Sequence, residues 1–260
     1  MIGTIDVRKR MVIVGAAMLR DMRTRFGRSY WGYLIAILWP LTHLLALTIV
    51  FTFMRRAAPI FGDNNAIFVA TGVAPYILAM YPSRTTSTAV DAHKSVLMFP
   101  AIRPFDLMLA RAVVETLAAF SVVILFVSIV YVFDAEIRPN DHIVAAGAIF
   151  ATIYLSIAFG LLSASIIAIF NFWQTGHAIL LVFIYLSSGI FFPIESASET
   201  TRSILWFNPL AHCVEWLRSA YYPGYGENFI SRSYVLWSAT VFFFMALLGE
   251  RLLRGKIMAP

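Results

Sequence analysis

The chain has 260 residues, of which 60% are hydrophobic and 13% are charged. Soluble domains are about 45–50% apolar and about 25% charged, so this composition excludes an ordinary soluble protein and predicts an all-α polytopic membrane protein. The formal net charge is +6, but basic residues also collect on the cytoplasmic side of membrane proteins. The charge is therefore explained without nucleic acid as a partner.

The N-terminal segment, residues 8–30, mixes an apolar run with a cluster of arginines. The run "MVIVGAAML" (11–19) is too short to span a bilayer, and "RDMRTRFGR" follows it instead of a small-residue cleavage site. The pattern favours an amphipathic helix in the headgroup plane. Arg23, Arg25 and Arg28 would then meet phosphate, either of a lipid-linked substrate at its entrance or of membrane lipids that anchor the helix.

Hydropathy predicts six membrane spans after this segment, since each needs about 20 apolar residues. They lie at about 33–53, 66–82, 105–133, 143–170, 178–194 and 233–249. Arg111 and Glu115 lie one turn apart near the cytoplasmic end of the third span, so we expect them to pair. Thirteen Lys and Arg residues fall on the side of the two termini and six on the other, which predicts cytoplasmic termini.

The cytoplasmic connection 84–103 carries an apolar stretch outside the membrane. The sequence "DAHKSVLMFPAIRPFD" (91–106) predicts a short helix that ends at Pro100. An exposed "VLMF" needs a partner surface to bury it. The predicted docking residues are His93, Lys94, Val96, Leu97, Met98 and Phe99.

The connection 196–222 is too polar and interrupted for a span and too apolar for a solvent loop. Within "WFNPLAHCVEWLRSAYYPGYGE" (206–227), Asn208-Pro209 predicts a turn between two short helices. Non-helical backbone at membrane depth persists only where protein shields it or a water-filled cavity faces it. We therefore expect a re-entrant helical hairpin that forms an outer gate, with Glu215 and Arg218 as a fixed pair at i, i+3 spacing.

Motifs for chemistry are missing from the sequence. There is no nucleotide-binding loop, no H-E-x-x-H and no G-x-S-x-G. The only cysteine is Cys213, and His212 with Glu215 makes two ligands, which is too few for a zinc site. We therefore expect no metal or cofactor in this chain and no enzymatic activity of its own. Ionisable residues are also scarce at bilayer depth, which disfavours an ion-coupled carrier or a channel and favours a transporter driven by a partner.

Three stretches resemble the permease subunit of type-2 ABC exporters, in the capsular polysaccharide branch. They are "MLRDMRTRFGRSYWGYLIAILWPL" (18–41), "MFPAIRPFDLMLARAVVE" (98–115) and "SSGIFFPIESASETTRSILWFNPLAHCVEWLRSAYYPGY" (187–225). The pattern N-P-L-x-x-x-x-E-x-x-R in the third is shared by many type-2 permeases. The second stretch is the one that is closer to the capsule branch.

The resemblance implies a mechanism and partners. Residues 8–30 would be the interface helix, 84–103 the coupling-helix loop and 196–222 the re-entrant hairpin. Two permeases and two ATP-binding subunits, which hold ATP and Mg, would pass lipid-linked polysaccharide from the cytoplasm across the bacterial inner membrane. The route would be a channel between the two permease copies. Gram-negative capsule systems of this kind also engage periplasmic and outer-membrane proteins.

A sugar chain needs a wet pore with flat surfaces, and aromatic rings supply such surfaces. Aromatic residues in spans also pack in cores or at membrane interfaces. The predicted channel residues near the resembling stretches are Trp31, Tyr33, Trp39, Phe51, Trp206, Phe207, Trp216, Tyr221 and Tyr222. Three alternatives stay open: export of O-antigen, teichoic acid, a lipid or a drug; secondary transport, although no paired inverted halves are visible; and membrane-bound group transfer by the acids at 134–141.

Overall fold

The computed structural model describes residues 7–27, 30–54, 65–99, 101–133 and 137–257, and within these ranges it contains helices and no strand. The helices are α1 (Val7–Phe26), α2 (Tyr30–Met54), α3 (Asn65–Ser87), α4 (Ala89–Ala92), α5 (Pro104–Phe133), α6 (His142–Ile167), α7 (Trp173–Leu186), α8 (Glu199–Leu205), α9 (Pro209–Ser219) and α10 (Arg232–Ile257). Two short 3₁₀ turns lie at Lys94–Val96 and Ile194–Ser196.

Five of the described helices are long and apolar enough to cross a membrane, namely α2, α3, α5, α6 and α10. They correspond to five of the six predicted spans. The predicted span at 178–194 is instead the shorter helix α7, which ends at Leu186. The helix cannot continue because Gly189 adopts a positive φ of 73° and Pro193 follows.

Helix α3 is the centre of the bundle. In its spanning window 83% of the residues are buried, against 22% for α2 and for α10. It packs against α5, α6 and α9. Small residues allow the close approach of α3 and α6: a Cβ on Gly160 would lie 3.0 Å from the backbone of Ser83, and the Ser156 hydroxyl donates to the Ala79 carbonyl at 2.6 Å.

Helix α1 has two different faces. Ile13, Ala16 and Ala17 line a small cavity against the 93–107 region, whereas Met11 and Leu19 are exposed. The helix packs mainly on α5. It ends at Phe26, four residues earlier than predicted, because Gly27 takes a left-handed φ of 66°.

Candidate substrate pathway and coupling site

The predicted hairpin, residues 196–222, contains helix α8, a turn and helix α9, and local sequence features start both helices. The Ser198 hydroxyl accepts from the Thr201 amide at the start of α8. The Asn208 side chain accepts from the Leu210 amide at the start of α9, and Pro209 occupies the first helical position, where its missing N–H costs nothing. The Asn208 amide nitrogen also donates to the Ile184 carbonyl oxygen at 2.8 Å, which ties the turn to α7.

Helix α9 lies inside the bundle. All of its residues from Leu210 to Arg218 are buried, and it contacts α3, α6, α7 and α10. Its C-terminal end is tied to the start of α6, where the Asp141 amide donates to the Ala220 carbonyl. Its first residues, Pro209 and Leu210, line one cavity with Leu155 of α6. The helix therefore runs beside α6 from one end of that helix to its middle.

Glu215 and Arg218 form a buried ion pair within α9. Arg218 Nη1 donates to Glu215 Oε1 at 2.9 Å, and both side chains are 0% exposed. The Tyr225 hydroxyl donates to the same carboxylate oxygen at 3.2 Å. Local helical spacing predicted this contact, and the structure adds Tyr225, which follows α9.

The Arg218 guanidinium also joins three parts of the chain. It donates to the carbonyl oxygens of Gly189 at 2.7 Å and Ile190 at 2.8 Å, beyond the end of α7, and to that of Phe68 in α3 at 3.3 Å. The guanidinium carbon lies 3.7 Å from the centre of the Phe68 ring. We call this set of contacts, centred on Arg218 and Glu215, the arginine clamp. Because its partners lie as far as 150 positions away in sequence, spacing alone could not find them.

Space for the arginine clamp depends on a glycine in α3. A Cβ on Gly72 would lie 2.7 Å from Arg218 Nη2 and 3.2 Å from the Ile190 backbone. No side chain fits there without displacing the guanidinium or the backbone. A glycine in the middle of a helix costs about 0.5–1 kcal/mol relative to alanine, so its presence here was the one sequence signal for a close approach.

The predicted channel aromatics near the hairpin divide into three groups. Trp206 and Phe207, in the turn between α8 and α9, are exposed. Tyr221 and Tyr222 are half-buried beside the main core. Trp216 is only 8% exposed and lies in that core against Gly147, so the prediction that it faces a channel is corrected. Its position on α9 turns it toward α6.

The predicted channel aromatics of α2 lie along one weakly covered helix. Trp31 and Trp39 are exposed over about 71% and 72% of their surface. Phe51 stacks on Phe191 with ring centres 5.0 Å apart. Tyr33 lies on the same helix, and its side chain is outside the described part of the structure. Two of the four residues, Trp31 and Trp39, therefore lie with most of their side chains on the surface of the molecule.

The cytoplasmic connection presents only part of its predicted docking surface. Met98 and Phe99 are 83% and 63% exposed, and Lys94 is exposed as well. Val96 and Leu97 are buried, and Leu97 packs with residues of α4, α5 and α6. The expectation of an exposed "VLMF" is therefore corrected, because its first two residues anchor the loop on the protein's own core.

His93, the remaining predicted docking residue, is also buried. Its Nδ1 lies 3.1 Å from the Ala89 carbonyl oxygen and its Nε2 lies 3.3 Å from Asp21 of α1. Burial lowers the pKa of His93, an effect that the Ala89 carbonyl and Asp21 oppose and the nearby Arg111 reinforces. This side chain links the loop to α1 and has no surface for a partner protein.

Helix α1 is held to α5 by charged contacts across the sequence. Asp21 is buried and accepts from Arg111 Nε at 3.0 Å, and Arg25 pairs with Glu115. Arg111 and Glu115 thus pair with α1, and the predicted pair between them is corrected. The spacing one turn apart allowed that pair, but the charges that α1 brings are closer.

These contacts also change the predicted phosphate entrance. Arg25 is engaged with Glu115, whereas Arg23 is exposed. Arg28 lies outside the described residues. A third charged pair between α1 and α5, Arg10 with Asp106 at 2.6 Å, fixes the start of α1. Within the described ranges, no group of three or more His, Cys, Asp or Glu side chains is placed to hold a metal ion.

Comparison with known proteins defines the family of this helical bundle. Residues 14–222 match the family described as ABC-2 type transporter, and this stretch contains α2 to α9, the cytoplasmic loop and the arginine clamp. The chain belongs to the ABC-2 type transporter family. In this family it is similar over most of its length to several inner-membrane proteins of capsule export.

One such ABC-2 relative is the polysialic acid transport protein KpsM of Escherichia coli, 33% identical over 237 residues that cover 91% of each chain. Another is the capsule polysaccharide export inner-membrane protein BexB of Haemophilus influenzae, 28% identical over 81% of this chain and 79% of the relative. CtrC of Neisseria meningitidis serogroup B, described in the same words as BexB, is 24% identical over the same shares.

Proposed function

We propose that this chain is the permease subunit of an ATP-driven exporter that moves capsular polysaccharide across the bacterial inner membrane. The similarity to KpsM over 91% of both chains carries the proposal, because it includes every helix of the bundle from α2 to α9. BexB and CtrC support the same cargo class through their names.

The proposed topology has six crossings and cytoplasmic termini. Helix α7 has 14 residues and is about 21 Å long at 1.5 Å per residue, shorter than a hydrocarbon core of about 30 Å. The turns after Leu186 complete the crossing in this proposal. Support for cytoplasmic termini comes from the thirteen basic residues on that side against six on the other.

The α8–α9 hairpin is proposed to enter the membrane from the outer side. Leu155 is 13 residues along α6 from His142, which corresponds to about 20 Å. Pro209 and Leu210 line the same cavity as Leu155. The turn of the hairpin then reaches the middle of the bilayer, where its polar backbone is shielded by α3, α6 and α7. The arginine clamp would hold this hairpin as the outer gate.

Coupling to ATP is proposed to occur at Met98 and Phe99. These exposed side chains directly follow Val96 and Leu97, which are buried and anchor the loop on the protein's own core. In the proposed assembly, two copies of this chain bind two ATP-binding subunits, and ATP and Mg are held by those subunits. The charged contacts of α1 would carry movement of the loop to α5.

The cargo is proposed to be lipid-linked. Exposed Arg23, with Arg28, would meet its phosphate at the cytoplasmic face, and membrane lipids would share this surface. The sugar chain would pass between the two copies, with Trp31, Trp39 and Phe207 among the surfaces that it meets. Periplasmic and outer-membrane proteins would receive it.

Deleting the gene and complementing it tests the function. Surface glycan analysis and electron microscopy should show a capsule that is lost on deletion and restored by the wild-type gene. Retention of the capsule in the deletion strain would refute the proposal.

The coupling site is tested by Met98→Asp combined with Phe99→Asp. Burying each side chain in a partner contributes about 1.5–3 kcal/mol, so ATP-binding subunits should co-purify at least about tenfold less and export should stop. Leu97→Asp is the comparison: it places a charge in the core and should lower the amount of folded protein. Unchanged co-purification and export in the double variant would contradict this role.

A further inference from the structure

A cavity on the predicted outer side, separate from the buried clamp, has the side chains of a saccharide site. It is formed by α8, the turn that follows it and the segment before α10, and its volume is about 510 Å³. Ligand pockets commonly measure about 300–1,000 Å³. The lining residues are Glu199, Arg202, Ser203, Trp206, Phe207, Asn228 and Phe229.

Trp206 forms an aromatic wall of this cavity, and neighbouring aromatic side chains hold its ring in place. The Trp206 ring packs against Tyr234 with centres 4.6 Å apart and against the edge of His212 at 5.3 Å. His212 in turn stacks on Phe229 at 4.7 Å and its Nε2 contacts the Trp206 carbonyl oxygen at 2.7 Å. Because 37% of Trp206 stays exposed, one fixed flat surface remains available. Such a surface suits the apolar face of a pyranose ring.

Polar groups with open hydrogen-bonding capacity surround the aromatic wall. Glu199 and Asn228 are exposed residues of its lining, and Ser203 adds a hydroxyl. The Arg202 Nε atom is buried and has no hydrogen-bond partner in the described part of the chain. A ligand therefore reaches Arg202 only through the other part of this half-buried side chain, which borders the cavity. The planar guanidinium matches a carboxylate.

We infer that this cavity is a subsite for an acidic saccharide unit of the exported polysaccharide. The inference rests on the proposed function and adds a chemical class of cargo. The pyranose face packs on Trp206, the sugar carboxylate binds Arg202, and ring hydroxyls bond to Glu199 and Asn228. The Glu199 carboxylate repels a second anion, so it favours the orientation in which the sugar carboxylate points to Arg202.

Binding to the full-length protein in lipid nanodiscs tests the subsite. The probes are a hexamer of galacturonic acid and an uncharged hexamer of galactose, titrated by calorimetry at low and at 0.5 M salt. The wild type should bind the acidic hexamer at least about tenfold more tightly, since charged hydrogen bonds contribute about 1.5–3 kcal/mol. Arg202→Gln should remove this preference, and Trp206→Ala should weaken the binding of both hexamers.

The controls keep charge and aromatic content matched. Arg138→Gln removes the charge of an exposed arginine on the same predicted side, and Trp237→Ala removes another exposed tryptophan; both variants should bind the hexamers as the wild type does. Arg202→Lys keeps the charge without the fork and should restore only part of the preference. Should Trp206→Ala fail to fold, Trp206→Leu replaces it.

Three outcomes would overturn the subsite. These are no binding of the acidic hexamer, an acidic preference that survives in Arg202→Gln, or an equal loss in the two controls. If the variants bind both hexamers as the wild type does but lose export, the cavity is a docking surface for a periplasmic protein instead. Failure of the proposed function is seen separately, because the deletion strain would then keep its capsule whatever the hexamers do.

Discussion

The arginine clamp predicts a large loss of stability on Arg218→Met. Methionine preserves much of the side-chain volume and removes the guanidinium. Glu215, fully buried, loses its charged partner, and the carbonyl oxygens of Gly189, Ile190 and Phe68 lose a donor. The variant therefore combines an uncompensated carboxylate with unpaired acceptors in a medium without water.

The size of the effect follows from these contacts. Each charged hydrogen bond contributes about 1.5–3 kcal/mol when taken alone, but such values are not additive in one network. Removing one partner of a buried pair costs about 3–5 kcal/mol. We expect this figure, which is smaller than the sum of the individual hydrogen bonds, because Glu215 can accept a proton once its partner is gone. At about 2–4 °C per kcal/mol, the melting temperature should fall on the order of 10 °C. Adding Glu215→Gln should recover part of the loss, because the unpaired charge disappears.

The single cysteine supplies the assay. Cys213 is free and buried in α9 beside the arginine clamp, so a thiol-reactive dye labels it when this region unfolds. In detergent, the dye should label Cys213 of the Arg218→Met variant at a lower temperature than Cys213 of the wild type. The control variant Arg138→Met changes an exposed arginine and should be labelled at the same temperature as the wild type. A melting temperature of Arg218→Met within 2 °C of the wild type, a margin of about 1 kcal/mol, would refute the clamp as a major source of stability.

Two further predictions concern close approach and the attachment of α1. Gly72→Ala should lower the same melting temperature by less than Arg218→Met does, because a Cβ 2.7 Å from Arg218 Nη2 displaces the guanidinium without removing it; an unchanged value would show that the space is larger than it appears. Asp21→Asn should speed amide hydrogen exchange in α1 roughly ten- to hundredfold, since it removes charged hydrogen bonds of about 1.5–3 kcal/mol. The control is Asp91→Asn, which removes a charge from a surface pair. Equal rates of amide hydrogen exchange in α1 of the two variants would contradict the role of Asp21.

Local features of the hairpin could be read from the sequence because short-range geometry creates them. Asn208 caps α9 and Pro209 starts it, at the place where the sequence predicted a turn between two short helices. Glu215 and Arg218 pair because a helix brings residues three apart onto one face. The same local rule failed for Arg111 and Glu115, since α1 supplies Asp21 and Arg25 from about 90 positions away. Spacing defines which contacts are possible, and packing selects among them.

Burial along the cytoplasmic loop shows the same division. The sequence predicted that "VLMF" needs a partner, but Val96 and Leu97 find it in the protein itself and only Met98 and Phe99 remain exposed. Trp216 was likewise predicted to line a channel, but it lies in the core, whereas Trp206, ten residues earlier, is exposed. Side chains of similar hydrophobicity are thus buried or exposed according to the direction in which the backbone points them.

The sequence by itself determined the membrane class, the long apolar helices and the position of the hairpin turn. These follow from composition and from interactions within a few residues. The tertiary structure alone decided that Arg218 joins α3 and α9 to the turns that follow α7, that Gly72 makes room for it, and that Arg202 borders an open aromatic cavity. Such contacts depend on the relative placement of whole helices, which is set by the packing of many residues distant in sequence.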